Sequence, residues 1–305
     1  MRLIKPSFQI IEQSSGIEGV YKQIERVGRV CYKSEDKITE DSAKPFVDRM
    51  IKSGHGAMLE HGTVYLFCPT EEYVDSNGDV QYYNPLEKYQ NNNYSALAES
   101  NEGMYVTTNL RVLVEGGCIN DLKYLCEPTE YHKKRICVKF ICDRGILAEF
   151  TRHRTFSFSA ESTRYCNYSK DKFGNELTFI KPCWLDIPTG QYVYWDGDWC
   201  DIDKMKIQLP EGEHKDIDAF LWTLNNSETH YTLLINSGWK PQEARAVLPN
   251  SLKTELVMTG FVSDWKHFFS LRALGTTGAP HPQAKELAEP LMKEFERRGL
   301  LCTTQ

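Results

Sequence analysis

The sequence predicts an α+β protein, a mixed sheet with packed helices and a largely helical C-terminal half. Three observations carry this. Short apolar runs of strand length recur in the first half, at Leu3–Ile11, Thr63–Cys68 and Cys137–Cys142. Longer stretches with apolar residues at helical spacing dominate the second half. No internal repeat or linker divides the 305 residues, which therefore read as one domain with inserted segments at about 69–135 and 184–212.

The elements follow in order. Residues 1–13 read as a first strand, with Leu3, Ile4, Phe8, Ile10 and Ile11 supplying its apolar content. Val20, Ile24 and Val27 fall at i, i+4 and i+7, which predicts a helix over Gly19–Val30. Asp41-Ser42 can cap a second helix over Ala43–Ser53, with Phe46, Met50 and Ile51 on one face. Thr63–Cys68 is a strand. Asp75-Ser76-Asn77-Gly78-Asp79 resembles the start of a calcium loop but lacks the terminal glutamate, so it reads as the turn of a hairpin between Tyr73-Val74 and Val80–Tyr83. Tyr105–Thr108 and Leu110–Val114 read as strand and helix or as two strands, and the region 69–135 as a hairpin and helix inserted into the sheet.

Cys137–Cys142 is a strand leading into a helical segment, Arg144–His153. Leu177–Lys181 is a strand, and the acidic, aromatic stretch Trp184–Met205 reads as a solvated loop with aromatic anchors rather than a metal site. Pro210 precedes a helix over Glu213–Ser237 that Gly238 ends, and Pro241 opens another, stopped by Pro249. Thr254–Thr259 and Ser263–Leu274 read as helical. Gly275 and Gly278 break the chain, and Pro282 opens a last helix through Arg298.

Composition bounds the function. A hydrophobic fraction of 41% and a charged fraction of 26% describe a globular chain. A net charge of −6 argues against a broad nucleic-acid surface, so any phosphate site is a local basic pocket. Ten cysteines without a C-x-x-C pair, no signal-peptide core and no membrane-length apolar run predict a cytoplasmic protein with reduced thiols. There is no Gly-rich dinucleotide fingerprint and no P-loop, so arginines would have to hold a phosphate.

The chemistry concentrates between Cys137 and Lys170. Arg152-His153-Arg154 places three cationic or titratable groups side by side, which a fold tolerates best around an anion. Ser162 and Arg164, at i and i+2, point the same way if the segment is extended and could together hold a phosphate. His55 and His61 flank Glu60, but their spacing is wrong for a zinc helix; His61 reads as a structural histidine at a strand start, and His55 stays open between structure and function.

R-H-R, seven residues, then Ser, continued as ESTRYCNYS, resembles the signature of the flavin-dependent thymidylate synthases. The segments GHGAMLEH, PQEARAVLP and WKHFFSLR are similar to further parts of that family's pattern. The resemblance implies conversion of dUMP to dTMP, with methylenetetrahydrofolate as carbon donor, FAD as redox carrier and NADPH as reductant. The histidine spacing argues against a metal, the lack of a long apolar run against a membrane and the net charge against a nucleic-acid partner, while the resemblance implies a homotetramer with sites between subunits. It places flavin contacts at Arg152, His153, Arg154, His267 and His55. It places nucleotide contacts at Glu149, Arg152, Ser162, Arg164, Arg245 and Arg272. Arg272 would also stabilise charge at the N3–C4–O4 edge of the pyrimidine, making C5 nucleophilic without an enzyme thiol. Pro182-Cys183 is followed by Trp184, without the Pro-Cys-His pattern of the cysteine-dependent thymidylate synthases, so Cys183 reads as structural. Ala160 and Phe261 stand where the family often carries polar side chains, and Ala57 where it can carry Thr.

Overall fold

The computed structural model describes residues 1–170, 173–201, 203, 205–209 and 215–301. The chain opens with β1 (Arg2–Ile4), β2 (Ser7–Ile11), α1 (Gly16–Tyr32), α2 (Ala43–Lys52) and α3 (Gly56–Leu59). Next come β3 (Thr63–Pro69), β4 (Glu71–Val74), β5 (Val80–Tyr83), β6 (Ala96–Ser100), β7 (Gly103–Asn109) and α4 (Leu110–Glu115). The middle holds β8 (Arg135–Asp143), α5 (Arg144–Phe150), β9 (Ser157–Ala160), β10 (Thr178–Ile180), β11 (Gly190–Gln191), β12 (Val193–Trp195) and β13 (Asp198–Cys200). The last part holds α6 (Lys215–Asn236), α7 (Pro241–Ala244), β14 (Lys253–Phe261), α8 (Val262–Arg272) and α9 (Pro282–Arg297). The α+β class is as the sequence predicts.

The site is organised by a four-stranded antiparallel sheet of order β2-β8-β14-β9. Its central strand corrects the helical reading of Thr254–Thr259. On one face Leu256 and Met258 pack with Trp265, Phe268 and Phe295 of α8 and α9. On the other Val257 packs with Val27 and Val30 of α1. A strand covered on both faces shows a continuous apolar run instead of alternation, and such a run is ambiguous by periodicity alone. Gly260 is required at its end: a Cβ there would lie 2.6 Å from the Phe156 ring.

Other elements depart in smaller ways. Pro6 splits the first strand into β1 and β2. Ile51 of α2 is exposed, so that helix buries Phe46, Val47 and Met50 instead. Ser42 makes no cap hydrogen bond within the helix; its hydroxyl donates to Glu25. The 69–135 stretch does hold a hairpin, β4 with β5, and a helix, α4. It does not enter the central sheet: β7 pairs with β3 and β6 in a sheet of its own. The 184–205 stretch contains a two-stranded ladder, β12 with β13, with Trp199 buried. Pro210 and Glu213, read as the approach and start of a helix, lie outside the described residues. The nine cysteines of the described residues are free thiols. Among those residues no helix is long and apolar enough to cross a membrane.

Candidate active site

The β8–α5–β9 passage positions the R-H-R segment. Asp143 ends β8 and caps α5, its carboxylate accepting from Ile146 N–H at 2.7 Å and from Gln283 Nε2 of α9 at 2.8 Å. The short helix therefore leaves the sheet at a fixed angle, with Phe150 buried beneath Phe140 and Phe268. Beyond it Arg152 and Arg154 project outward, exposed, with no ion pair among the described residues, while His153 turns inward against Phe156 and Phe268. The alternation is what a turn after a helix imposes when an apolar wall waits on one side.

Arg272, the last residue of α8, reaches across to this turn. Its Nη1 donates to Glu149 Oε2 at 2.6 Å, its Nη2 to the Glu149 carbonyl at 3.0 Å, and its Nε to His153 Nε2 at 3.1 Å. The third bond fixes the state of His153. An arginine has only donors, so His153 Nε2 must accept, and its proton sits on Nδ1. Burial, then the Arg272 guanidinium, then His267, push the imidazole down to about 4, so it is neutral at pH 7. The exposed His267 ring lies 6.0 Å from His153, centroid to centroid.

Ser162 and Arg164, the expected nucleotide contacts, sit beyond the far end of β9, roughly 13 Å along a four-residue strand. Here the extended reading is corrected. Ser162 to Cys166 is a turn: Tyr165 and Cys166 N–H both donate to the Ser162 carbonyl, and Arg164 N–H donates to Ser162 Oγ at 3.3 Å. A hydroxyl facing its own backbone two residues on is the usual serine turn, and it competes locally with strand pairing. Ser162 is anchored to the end of α1 by its N–H on the Cys31 carbonyl at 3.0 Å. Arg245 joins from the turn after α7, donating to Thr163 Oγ1 at 3.0 Å. Arg164 lies over the Tyr165 ring, which packs on Tyr32. Ser162, Arg164 and Arg245 are thus brought to one turn, while Arg272, Glu149, His153 and His267 gather at the other end of β9.

A buried charge network holds the turn. Glu161 accepts from Tyr168 Oη and Lys253 Nζ, both at 2.8 Å. Lys253 also donates to Glu255 at 2.8 Å, which receives Lys33 at 2.7 Å and Lys139 at 2.5 Å. Burial works against the Glu255 charge, but the three ammoniums outweigh it and hold the carboxyl far below its ordinary value. Glu161 is therefore committed to the network and does not replace the polar side chain missing at Ala160. Sequence reasoning passed over this network and Thr163; the visible trace was Lys253 and Glu255 at i and i+2, the spacing of one strand face.

The remaining candidates are placed as follows. His55 is exposed at the start of α3, on a cleft of about 490 Å³ whose walls include Arg29, Lys33, Arg49 and Tyr32. Since Tyr32 also contacts Tyr165, the cleft adjoins the Ser162 turn. His61 is wholly buried, with Nδ1 2.8 Å from Thr259 Oγ1; burial and then Arg135 push it down to about 3. Phe261 lies beneath the Arg135 guanidinium. The exposed Cys183 thiol is raised, by desolvation and by Glu286, which opposes thiolate formation. No group of three His, Cys, Asp or Glu among the described residues could hold a metal.

Residues 131–298 match the family model described as "Thymidylate synthase complementing protein". The chain belongs to that family. The match takes in every candidate residue of this thymidylate synthase complementing family member except His55. Its relatives include the flavin-dependent thymidylate synthase of Haloarcula marismortui, 26% identical over 147 residues, which are 48% of this chain and 57% of that one. The flavin-dependent thymidylate synthase of Pyrococcus furiosus is 25% identical over 160 residues, 52% of each chain. The chain spans little more than half the length of these curated relatives. Among solved structures, a UMP/dUMP methylase PolB from Streptomyces cacaoi bound with 5-Br UMP superposes with a TM-score of 0.43 at 15% identity, covering 97% of this chain and 92% of that one.

Proposed function

We propose that the protein carries out the reductive methylation of dUMP to dTMP, taking the carbon from methylenetetrahydrofolate and reducing equivalents from NADPH through FAD. The observation that carries this reading is the convergence of Arg272 with Glu149 and His153 from 123 and 119 residues away, beside two arginines that make no ion pair among the described residues. The residues fit an FAD: Arg152 and Arg154 offer two guanidiniums for a pyrophosphate, and the cleft at His55 adds Arg49, its Arg29 and Lys33 being already paired with Glu25 and Glu255. When bound, the flavin supplies the hydride that converts the transferred one-carbon unit to a methyl group.

The chain's own residues bind and polarise. Ser162, Arg164 and Arg245 hold the nucleotide phosphate through a hydroxyl and two guanidiniums. Arg272, kept in place by Glu149 and a neutral His153, directs its remaining N–H groups at the pyrimidine edge. Negative charge that develops at O4 is stabilised there, so C5 attacks the one-carbon unit without a thiol added at C6. As the C5–carbon bond forms, the carbon's bonds to the folate nitrogens break and tetrahydrofolate leaves; the C5 proton is lost to solvent, and the hydride would complete the methyl group. Arg152, Arg154, Arg164, Arg245, His55 and His267 are all exposed on the single chain. Such an open face fits a site completed by neighbouring copies, as in a homotetramer acting in the cytoplasm.

The test starts with the visible spectrum of the desalted protein, before and after adding FAD. A flavin spectrum that bleaches anaerobically with NADPH, followed by dTMP formation from dUMP and methylenetetrahydrofolate, is the expected result. A protein that takes up no flavin and makes no dTMP overturns the proposal.

A further inference from the structure

We propose that the cavity between the inserted sheet and the core binds a small organic monoanion, a carboxylate on an apolar body, with Arg135 as its receptor. No residue of the candidate active site lines this cavity, and the inference does not depend on the proposed reaction. Its volume is about 510 Å³. On one side stand β3 and the segment Leu125–Pro128, on the other β2, the start of α1 and the start of β8. The seam is held at two points. Gln13 Nε2 donates to the Thr63 carbonyl at 2.7 Å and its Oε1 accepts from Thr63 N–H at 2.8 Å. Ser15 Oγ donates to Glu127 Oε2 at 2.8 Å.

Arg135 Nη1 donates to the Glu60 carbonyl at 3.0 Å and to Thr63 Oγ1 at 3.3 Å, and its Nη2 to Ser157 Oγ at 3.4 Å. All three partners are neutral, and no carboxylate pairs with it among the described residues. A guanidinium carries five N–H donors, so two are unspent, Nε–H among them. Burial pushes this guanidinium below its ordinary value, yet part of its surface stays open to the cavity that it lines. A desolvated charge with only neutral partners is costly until a counter-ion joins it. His61 stands beside it: after burial, the guanidinium is what depresses the imidazole. The ring is fully buried and lines the same cavity, and its Nε2 has no hydrogen-bond partner among the described residues. The Phe158 backbone acts on the ring without closing a hydrogen bond to it. With the Thr259 hydroxyl donating to Nδ1 at 2.8 Å, the proton of the neutral ring is on Nε2. The start of α1 adds to this: Ser15 caps no N–H of the 17-residue helix, and Gly16 lines the cavity.

The walls fix the class of ligand. Three cations, Lys134, Arg135 and Arg298, face two carboxylates, Glu12 and Glu127, which leaves one net positive charge. Glu12 and Arg298 already pair with each other at 2.7 Å. One carboxylate balances the remainder, and a phosphate dianion would overshoot it. The rest of the wall is Ile10, Ile11, Val20, Leu125, Ile136 and Leu300. Such a lining favours a hydrocarbon body over a bare inorganic anion.

The experiment titrates the full chain calorimetrically with benzoate, 2-naphthoate and octanoate, and with the primary amide of each. Wild type should bind at least one acid, at one site per chain, with a Kd of about 1 mM or tighter, and the matching amide at least about tenfold more weakly. Arg135→Gln should weaken that acid at least about tenfold. Leu125→Trp, which fills the cavity, should abolish its binding. The proposal is overturned if wild type binds none of the three acids at about 10 mM, roughly ten times that Kd, or binds each no more tightly than its amide. Full acid affinity in Arg135→Gln or in Leu125→Trp would overturn it as well, by placing the acid elsewhere. The comparison of acid with amide needs no variant, so its result stands whether or not either variant folds.

Discussion

Arg272 holds Glu149 at two points, through the carboxylate at 2.6 Å and through the backbone carbonyl at 3.0 Å. The double hold ties the end of α8 to the end of α5 and orients the guanidinium plane. A lysine has one ammonium where the arginine has a planar fork, and cannot reach both Glu149 oxygens and His153 together. Arg272→Lys should therefore keep the charge and lose its aim. The expected outcome is a fall of about 10²–10³-fold in kcat for the proposed dTMP formation, with dUMP affinity changing less than tenfold. Turnover and titration on one preparation check it; equal losses in both would assign Arg272 to binding alone.

Glu255 is 5% exposed and pairs with three lysines of three different segments. Glu255→Gln removes the shared charge, leaving Glu161 to pair with Lys253 and Glu35 with Lys33, while Lys139 loses its Glu255 partner. We expect a loss of about 3 kcal/mol, the usual cost of breaking a buried ion pair on one side. A urea titration gives the value, and a shift under ~1 kcal/mol would mean that water screens the cluster.

The protein should be acid-labile in a defined window. His61 and His153 titrate near 3 and 4 in the folded chain against an ordinary value of 6.5. Between about pH 6.5 and pH 4 the unfolded chain binds protons that the folded chain refuses, so stability falls as pH falls through that range. The depressed Glu255 adds a further loss below its ordinary value of 4.5. Urea midpoints at pH 7.5, 5.5 and 4.5 should descend, and His61→Gln should flatten the slope between the first two.

Gly260→Ala should destabilise by about 1–3 kcal/mol through overpacking, because the new methyl meets the Phe156 ring at 2.6 Å. The Phe156 ring is itself wedged against Trp265. A thermal melt lowered by several degrees is the outcome expected, and Phe156→Leu in the same chain should restore part of it.

What the sequence disclosed, and what it hid, divides along physical lines. The hairpin of β4 and β5 was legible because Asn77-Gly78 states its own turn chemistry, and α9 because Pro282 and an apolar stripe mark its start and face. β14 was not, because burial on both sides erases the alternation by which strands are recognised. Ser162 and Arg164 were legible as residues but not as a turn, since the serine's hydrogen bond to the Arg164 N–H decides the local backbone. The contact between Glu149 and Arg272 joins two helices 123 residues apart, and no local pattern encodes it.

The place of β14 also bears on how the chain is made. β8 and β9 leave the ribosome early, yet the strand that joins them follows only after residues 161 to 252. At roughly 5–20 residues per second that is an interval of about 5–18 s in which both strands wait with open edges. An open edge is a template for pairing with another chain. Nascent chains should therefore need a holdase, or slow synthesis in the cold, until Lys253–Phe261 closes the gap.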